Sequence, residues 1–311
     1  MAEIDISLIN RRAKDDASGF ISECERDYKD FVGSVADRVA NNESIKVILL
    51  AGPSGSGKTT TANLLSDELE ARGLESHVVS LDDFYRDSTD EKYPRLENGE
   101  RDFEAVGALN IEDIDKTLSK IADGEEFFVP KFDFKLGRRT EVRKFEKISH
   151  GCVIIEGLHA LNPEISEHLD KQKVLKIFIS VSTNINDEQG RILSGRKLRF
   201  TRRMIRDSVY RDADAARTLS LWENVLRGED KYLYPYRSLA DIDFNTFHAY
   251  EPCVMRAYAE RLIPGELCER SEYAKTVLSA LSRMENIDEG LVPRDSLMRE
   301  FITGGIYEEF Y

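Results

Sequence analysis

Residues 52–60 read Gly-Pro-Ser-Gly-Ser-Gly-Lys-Thr-Thr, a complete match to G-x-x-x-x-G-K-[ST]. These types at this spacing suit one task, the cradling of phosphate. Gly52, Gly55 and Gly57 let the backbone close around oxygen atoms, so that N–H groups such as those of Ser54 and Ser56 turn inward as donors. The helix that must follow adds partial positive charge at its first turn, worth about 0.3–1 kcal/mol toward an anion. In such a cradle Lys58 bridges the β- and γ-phosphates of ATP, the Thr59 hydroxyl holds Mg²⁺, and Thr60 continues the first helical turn. Chance would produce the pattern in about one chain in a hundred of ordinary composition. The strand and helix signals that flank it here lower that further.

Two carboxylates stand at the ends of apolar runs. Leu81-Asp82-Asp83-Phe84-Tyr85-Arg86 closes one run, and Ile154-Ile155-Glu156-Gly157-Leu158-His159 closes another. A carboxylate at the carboxyl end of a parallel strand lies on the ligand edge of the sheet. Asp82 is so placed to accept a proton from an attacking hydroxyl, or to bind Mg²⁺ directly or through water. Taken alone, an Asp–Arg pair or a turn cap would explain it as well. Glu156, downstream of the phosphate loop and after four apolar positions, fits a Walker B acid in the metal shell. The guanine-reading N-K-x-D motif is absent from the chain, which argues against a GTPase.

The third feature is cationic. Residues 191–217 hold nine basic and three acidic side chains, a segment charge of +6 in a chain of net charge −14. On a helix Arg196, Arg199, Arg203 and Arg206 share one face, with Leu198, Ile205 and Val209 roughly opposite. Like charges so spaced repel, so an anionic partner is required. Either the protein's own acids supply it, or the phosphates of ATP do, closed over by arginines as transferred charge develops.

These groups need elements to position them. Lys46–Ala51, His77–Leu81, Cys152–Ile155 and Leu175–Val181 are near-continuous apolar runs, the pattern of strands covered on both faces, and Ile242–Phe244 reads as a fifth. Phe127–Phe132 and Thr140–Phe145, joined through Lys135-Leu136-Gly137-Arg138, read as a hairpin. Phe20, Cys24, Tyr28, Phe31, Val35 and Val39 form one helical stripe that stops at Asn41-Asn42. The division expected is a helical extension over 1–45, a main domain over 46–263 and a mainly helical tail over 264–311. The tail packs either on the core or on a second copy of the chain. Net acidity argues against a general nucleic-acid binder. Val47–Ala51 is among the longest purely apolar stretches, far short of a membrane span of about 20 residues. With no secretory leader and with scattered cysteines, a cytoplasmic protein is expected, with neither a nucleic acid nor a membrane as partner.

Taken together, GPSGSGKTT at 52–60, DDFYR at 82–86, PKFDF at 130–134, EGLHA at 156–160 and RRMIRD at 202–207 resemble the uridine kinase / phosphoribulokinase family. The resemblance implies an α/β P-loop NTPase fold: a five-stranded parallel sheet with helices on both faces, a small hairpin at the acceptor side and helical N- and C-terminal extensions. It implies ATP-dependent phosphorylation of a small-molecule alcohol, with Asp82 as base, Thr59, Asp82 and Glu156 as Mg²⁺ ligands, and Arg203, Arg206 and Arg211 as lid residues on ATP. Tyr85, Phe103, Glu104, Phe132, Phe134 and Arg139 fall in the acceptor segments. Uridine or cytidine is the expected acceptor. Gly137 stands where uridine kinases carry the histidine that reads the base, and Ala213 replaces a further lid arginine. His159 follows the phosphoribulokinase pattern, so the alternatives are a sugar-phosphate kinase, for which Arg138 and Arg139 would bind the phosphate, or a regulatory P-loop ATPase.

Overall fold

The computed structural model describes residues 2–97 and 99–310. In chain order its strands are β1 (Ala2–Asp5), β2 (Val47–Ala51), β3 (Glu75–Ser80), β4 (Phe127–Asp133), β5 (Arg138–Phe145), β6 (Gly151–Glu156), β7 (Val174–Ser180), β8 (Thr183–Asp187), β9 (Gly190–Leu193) and β10 (Ile242–Asn245). The helices are α1 (Ile6–Asp15), α2 (Ala17–Ala40), α3 (Lys58–Glu70), α4 (Ile111–Ala122), α5 (Pro163–Ser166), α6 (Gly195–Tyr210), α7 (Ala215–Tyr232), α8 (Glu251–Leu262), α9 (Gly265–Arg270) and α10 (Glu272–Leu281).

The apolar runs form one parallel sheet in the order β10-β7-β2-β6-β3. Alternation along β2 explains why such runs need cover on both sides. Val47, Leu49 and Ala51 join a core with α4, α5 and the hairpin, whereas Ile48 and Leu50 join a larger core with α2, α3, α6, α8 and α10. β2 lies between β6 and β7, so the loop after it opens at the centre of the carboxyl edge. That is where α/β sheets place their ligands.

Residues 1–45 are more than the expected helical leader. They begin with β1, which pairs in parallel with β8 in a second sheet, β1-β8-β9. Asp16 then interrupts the helix, its carboxylate capping α2 at Gly19 N–H. The expected stripe faces inward, with Phe20, Tyr28, Val35 and Val39 buried, and Asn41 is the C-cap. β8 and β9 are short, polar strands, a pattern that periodicity does not separate from loop. The cationic segment divides into β9, α6 and the start of α7, with a break at Arg211–Asp214 where Asp212 adopts φ 50°. Beyond α10 the tail is irregular with short 3₁₀ turns, and Leu297, Met298, Phe301 and Ile302 are fully buried on the chain's own core. Among the described residues no helix is long and apolar enough to cross a membrane.

Candidate active site

The phosphate loop is built from its carbonyls outward. Arg199 Nη1 donates to Ser54 O (2.9 Å), Arg202 Nη1 to Gly55 O (3.2 Å), Thr246 Oγ1 to Ser56 O (2.8 Å) and Thr61 Oγ1 to Gly57 O (2.6 Å). Lys58 Nζ rests on Pro53 O at 3.3 Å. Gly55 and Gly57 sit at φ +72° and +90°, where a side chain is strained. A Cβ at Gly52 would come within 2.6 Å of both Ile179 O and Ser56 Oγ. The loop is thus a preformed turn, and the buried hydroxyl of Ser56 has no partner in it.

The arginines fall into two groups that spacing alone does not separate. Arg199 and Arg202 are buried and structural: Arg199 makes a two-pronged pair with Glu229 (2.7 and 2.8 Å), and Arg202 pairs with Glu251. Glu229 also accepts from Ser54 N–H at 2.9 Å, locking α7 and α6 to the loop. Arg196 turns to solvent and pairs with Asp230. The protein's own acids therefore answer much of the charge on this segment. Arg203, Arg206 and Arg211 gather around one buried carboxylate, Asp207, at 3.2, 3.7 and 3.2 Å. Arg203 also donates to Ser54 Oγ at 2.9 Å. Glu300 adds a second carboxylate 3.6 Å from Arg206 Nη1, and two carboxylates do not balance three guanidinium groups. Repulsion from Arg206, with loss of hydration, pushes Arg211 down to about 10, and the buried Arg206 Nε has no hydrogen-bond partner. This cluster fits a polyanion.

Asp82 and Glu156 meet at the edge of the sheet. Glu156 lies in register with Leu50 of β2 and Ser80 of β3, and Asp82 follows two residues after Ser80. Burial raises the Glu156 carboxyl to about 7, opposed by Lys58 and reinforced by Asp82. Asp82 opens to the cleft, where loss of hydration also raises it, against Lys58, Arg211 and Arg206. Asp82 and Glu156 thus offer two neighbouring carboxylates, a hard-oxygen pair. Among the described residues no group of three His, Cys, Asp or Glu is arranged to hold a metal by itself.

The neighbouring Asp83 has a different task. It is buried, accepts from Phe132 N–H at 3.2 Å and from Arg143 at 2.5 Å, and so fastens the hairpin to the β3 end. There Tyr85, Phe132 and Phe134 form a three-ring cluster with centroid separations of 5.7, 5.7 and 5.1 Å, Phe134 being 64% exposed. The Tyr85 hydroxyl donates to Phe103 O at 3.0 Å, and the Phe103 ring, also exposed, packs on Tyr93. Glu104 lies beside them, raised to about 7 by burial despite Arg203. It is seated against α7, since a Cβ on Gly228 would come within 2.3 Å of Glu104 Cβ.

Arg139 departs from its expected place as an acceptor ligand. Its guanidinium donates to Asp113 (2.6 Å), Tyr85 O (3.2 Å) and Phe84 O (3.2 Å), holding the acceptor loop in shape. Gly137 has a conformational reason. It sits at φ +63° in the hairpin turn, its N–H bonded to Asp133 O and its carbonyl to Ser88 N–H, each at 2.7 Å. Sequence reasoning missed Glu229, Glu251 and Asp207 as partners of the cationic helix. For Glu229 and Glu251 the signal was only a surplus of acids elsewhere in the chain, whereas Asp207 lies in the cationic segment itself, four positions from Arg203 and from Arg211. His159 is buried with Nδ1 unpartnered, and burial holds it down to about 4, so the ring is neutral at pH 7.

Residues 47–250 match the model of the Phosphoribulokinase / Uridine kinase family, more than half of the chain. Uridine kinase-like protein 5 of Arabidopsis thaliana is 28% identical over 199 residues, 63% of this chain and 38% of that relative. Uridine kinase of Borrelia hermsii is 27% identical over 199 residues, 64% of this chain and 85% of its own. The chain thus spans well under half the length of the Arabidopsis relative. A solved structure from Bacillus stearothermophilus, described as a possible uridine kinase, aligns over 71% of this chain and 98% of its own, at 18% identity and a TM-score of 0.49. With the family match covering the phosphate loop, both edge carboxylates, the hairpin and the arginine helix, the chain belongs to the phosphoribulokinase / uridine kinase family.

Proposed function

We propose that the protein transfers the γ-phosphoryl group of ATP to the 5′-hydroxyl of a nucleoside, uridine or cytidine in the first instance. One observation carries this reading. Asp82 opens into the cleft between a cationic group (Lys58, Arg206, Arg211) and an aromatic cluster (Tyr85, Phe132, Phe134). A carboxylate so placed takes the proton of an acceptor hydroxyl while the cations neutralise the phosphoryl group. Gly52, Ser54, Gly55, Ser56, Gly57, Lys58, Thr59 and Thr60 would hold the triphosphate, with Arg203, Arg206 and Arg211 over it. Thr59, Asp82 and Glu156 would hold Mg²⁺, which supplies charge neutralisation on the phosphates. Exposed Phe103 and Phe134, with Phe132 and Tyr85, offer stacking faces to a flat base. Glu104 can accept from both hydroxyls of a ribose diol. Arg139 belongs to the positioning of this pocket.

The sugar-phosphate reading draws support from Gly137 and His159, since no histidine stands at the turn to read a base. Against it, Arg139, one of the two arginines that would bind the phosphate, is already paired with Asp113, as Arg143 and Lys131 are with Asp83. The test is ADP release with Mg-ATP and a panel of uridine, cytidine, purine nucleosides, ribulose 5-phosphate and no acceptor. Nucleoside-dependent turnover is expected. A response to sugar phosphate alone would replace the acceptor, and acceptor-independent turnover would remove the kinase reading.

A further inference from the structure

The cleft contains one anionic group that neither the phosphate loop nor the arginine helix accounts for. Glu300, on the C-terminal segment, accepts from the Thr60 backbone N–H at 3.2 Å and from the Thr60 hydroxyl at 3.0 Å. Its other oxygen lies 3.6 Å from Arg206 Nη1. Thr60 is the third residue of α3, so its N–H belongs to the helix's first turn. First-turn N–H groups are the donors that a phosphate cradle presents. Glu300 is 3% exposed, so its carboxylate engages them out of water, where such bonds are strong.

The rest of the segment is fitted to the same wall. Leu297 lies against Gly57, so that a Cβ there would come within 2.4 Å of Leu297 Cδ1. The ring of Phe301 stacks under Arg202, 5.1 Å from the guanidinium carbon. Arg299 gathers the segment into a knot, donating to the carbonyls of Glu289, Val292, Pro293 and Thr303. The segment is also tied outward, Ser296 to Glu25 and Asp295 to Lys29, so Glu300 is held in place from both sides.

We propose that residues 292–303 are a built-in competitor of nucleotide phosphate. Glu300 holds the Thr60 donors and Arg206, and is displaced when ATP binds. The inference rests on the nucleotide reading above. A carboxylate and a phosphate need the same N–H and guanidinium groups, and two anions at one desolvated site repel. ATP therefore binds at the cost of expelling the carboxylate, which sets its apparent affinity.

Two measurements on the full chain test this. In calorimetric titration with Mg-ATP, Glu300→Gln is expected to bind about five- to tenfold more tightly than the wild type, one charge-assisted contact being removed from the competing side. In hydrogen exchange of the wild type, amides in 292–303 are expected to exchange faster when Mg-ATP saturates the site. If the wild type binds Mg-ATP and Glu300→Gln binds no tighter, or if 292–303 becomes more protected, the competitor proposal fails while the nucleotide reading stands. If neither protein binds Mg-ATP, the nucleotide reading fails and the competitor falls with it. Exchange in the wild type decides the matter even if the variant is unstable.

Discussion

Asp82 and Asp83 are the same side chain one position apart, and only their surroundings give them different work. Asp83 is buried under Arg143, Lys131 and the Phe132 amide, so it holds structure together. Asp82 faces the cleft with Lys58, Arg211 and Arg206 in electrostatic reach. Asp82→Asn should lower phosphoryl transfer by about 10²–10⁴-fold, as expected for loss of a general base, while Mg-ATP still binds; single-turnover transfer and titration separate the two. Normal transfer by that variant would move the base elsewhere. Glu156 adds a pH dependence with a definite sign. Its carboxyl, raised to about 7 by burial, is protonated below that pH, and a proton excludes the metal. The Mg²⁺ concentration needed for half-maximal activity should therefore rise as pH falls from 8 to 6. A requirement that does not change with pH would count against Glu156 as a ligand.

At the scale of elements, the phosphate loop owes its shape to α6 and α7 as much as to its own glycines. Arg199 and Glu229 are both fully desolvated, and each also grips the Ser54 peptide. Removing one partner leaves an uncompensated buried charge, so Glu229→Ala should cost about 3–5 kcal/mol in urea unfolding. Replacing both by apolar side chains should recover much of that stability without restoring nucleotide affinity. If the single and double variants were equally stable, the pair would not be what holds these helices. Gly228 serves the other side of the cleft, where it lets the Glu104 loop approach α7. Gly228→Ala must displace Glu104, and displacement of a positioning group by about 1 Å costs on the order of 10²-fold. Acceptor-dependent kcat/KM should fall steeply while Mg-ATP binding holds. Equal losses for both ligands would mean the helix itself had moved.

Over the whole molecule, the two ends of the chain close around the phosphate-loop helix. Tyr28 of α2 shares a 2.8 Å hydrogen bond with Thr61 of α3, and Glu25 accepts from Ser296 of the tail at 2.6 Å. The larger core holds residues of α1, α2, the sheet and the tail together. Phe20, Ile21, Tyr28, Val32, Val35 and Val39 are all buried there, each apolar side chain contributing roughly 1.5–3 kcal/mol. A chain starting at residue 46 should therefore aggregate or fail to fold, as size-exclusion chromatography would reveal. A monodisperse, cooperatively melting 46–311 fragment would refute this, and would make 1–45 a separable extension after all.

Much of this was legible along the chain because the features were local. The Gly52–Thr60 pattern, the runs that became β2, β3, β6, β7 and β10, the acids at their ends and the stripe of α2 depend on neighbours a few residues apart. Spacing reports such relations directly. What spacing does not carry is which distant group answers a charge. Five arginines of one helix look alike in sequence. Tertiary structure alone divides them into Arg199 and Arg202, neutralised by Glu229 and Glu251, and Arg203 and Arg206, left with Arg211 around Asp207 and Glu300. The same holds for Asp83, Arg139 and Glu300, whose partners lie 49, 26 and 240 positions away. The order of residues thus determined what kind of ligand edge this protein has. Folding decided which of its charges are left to meet that ligand, because the pairing of buried charges depends on distance in space.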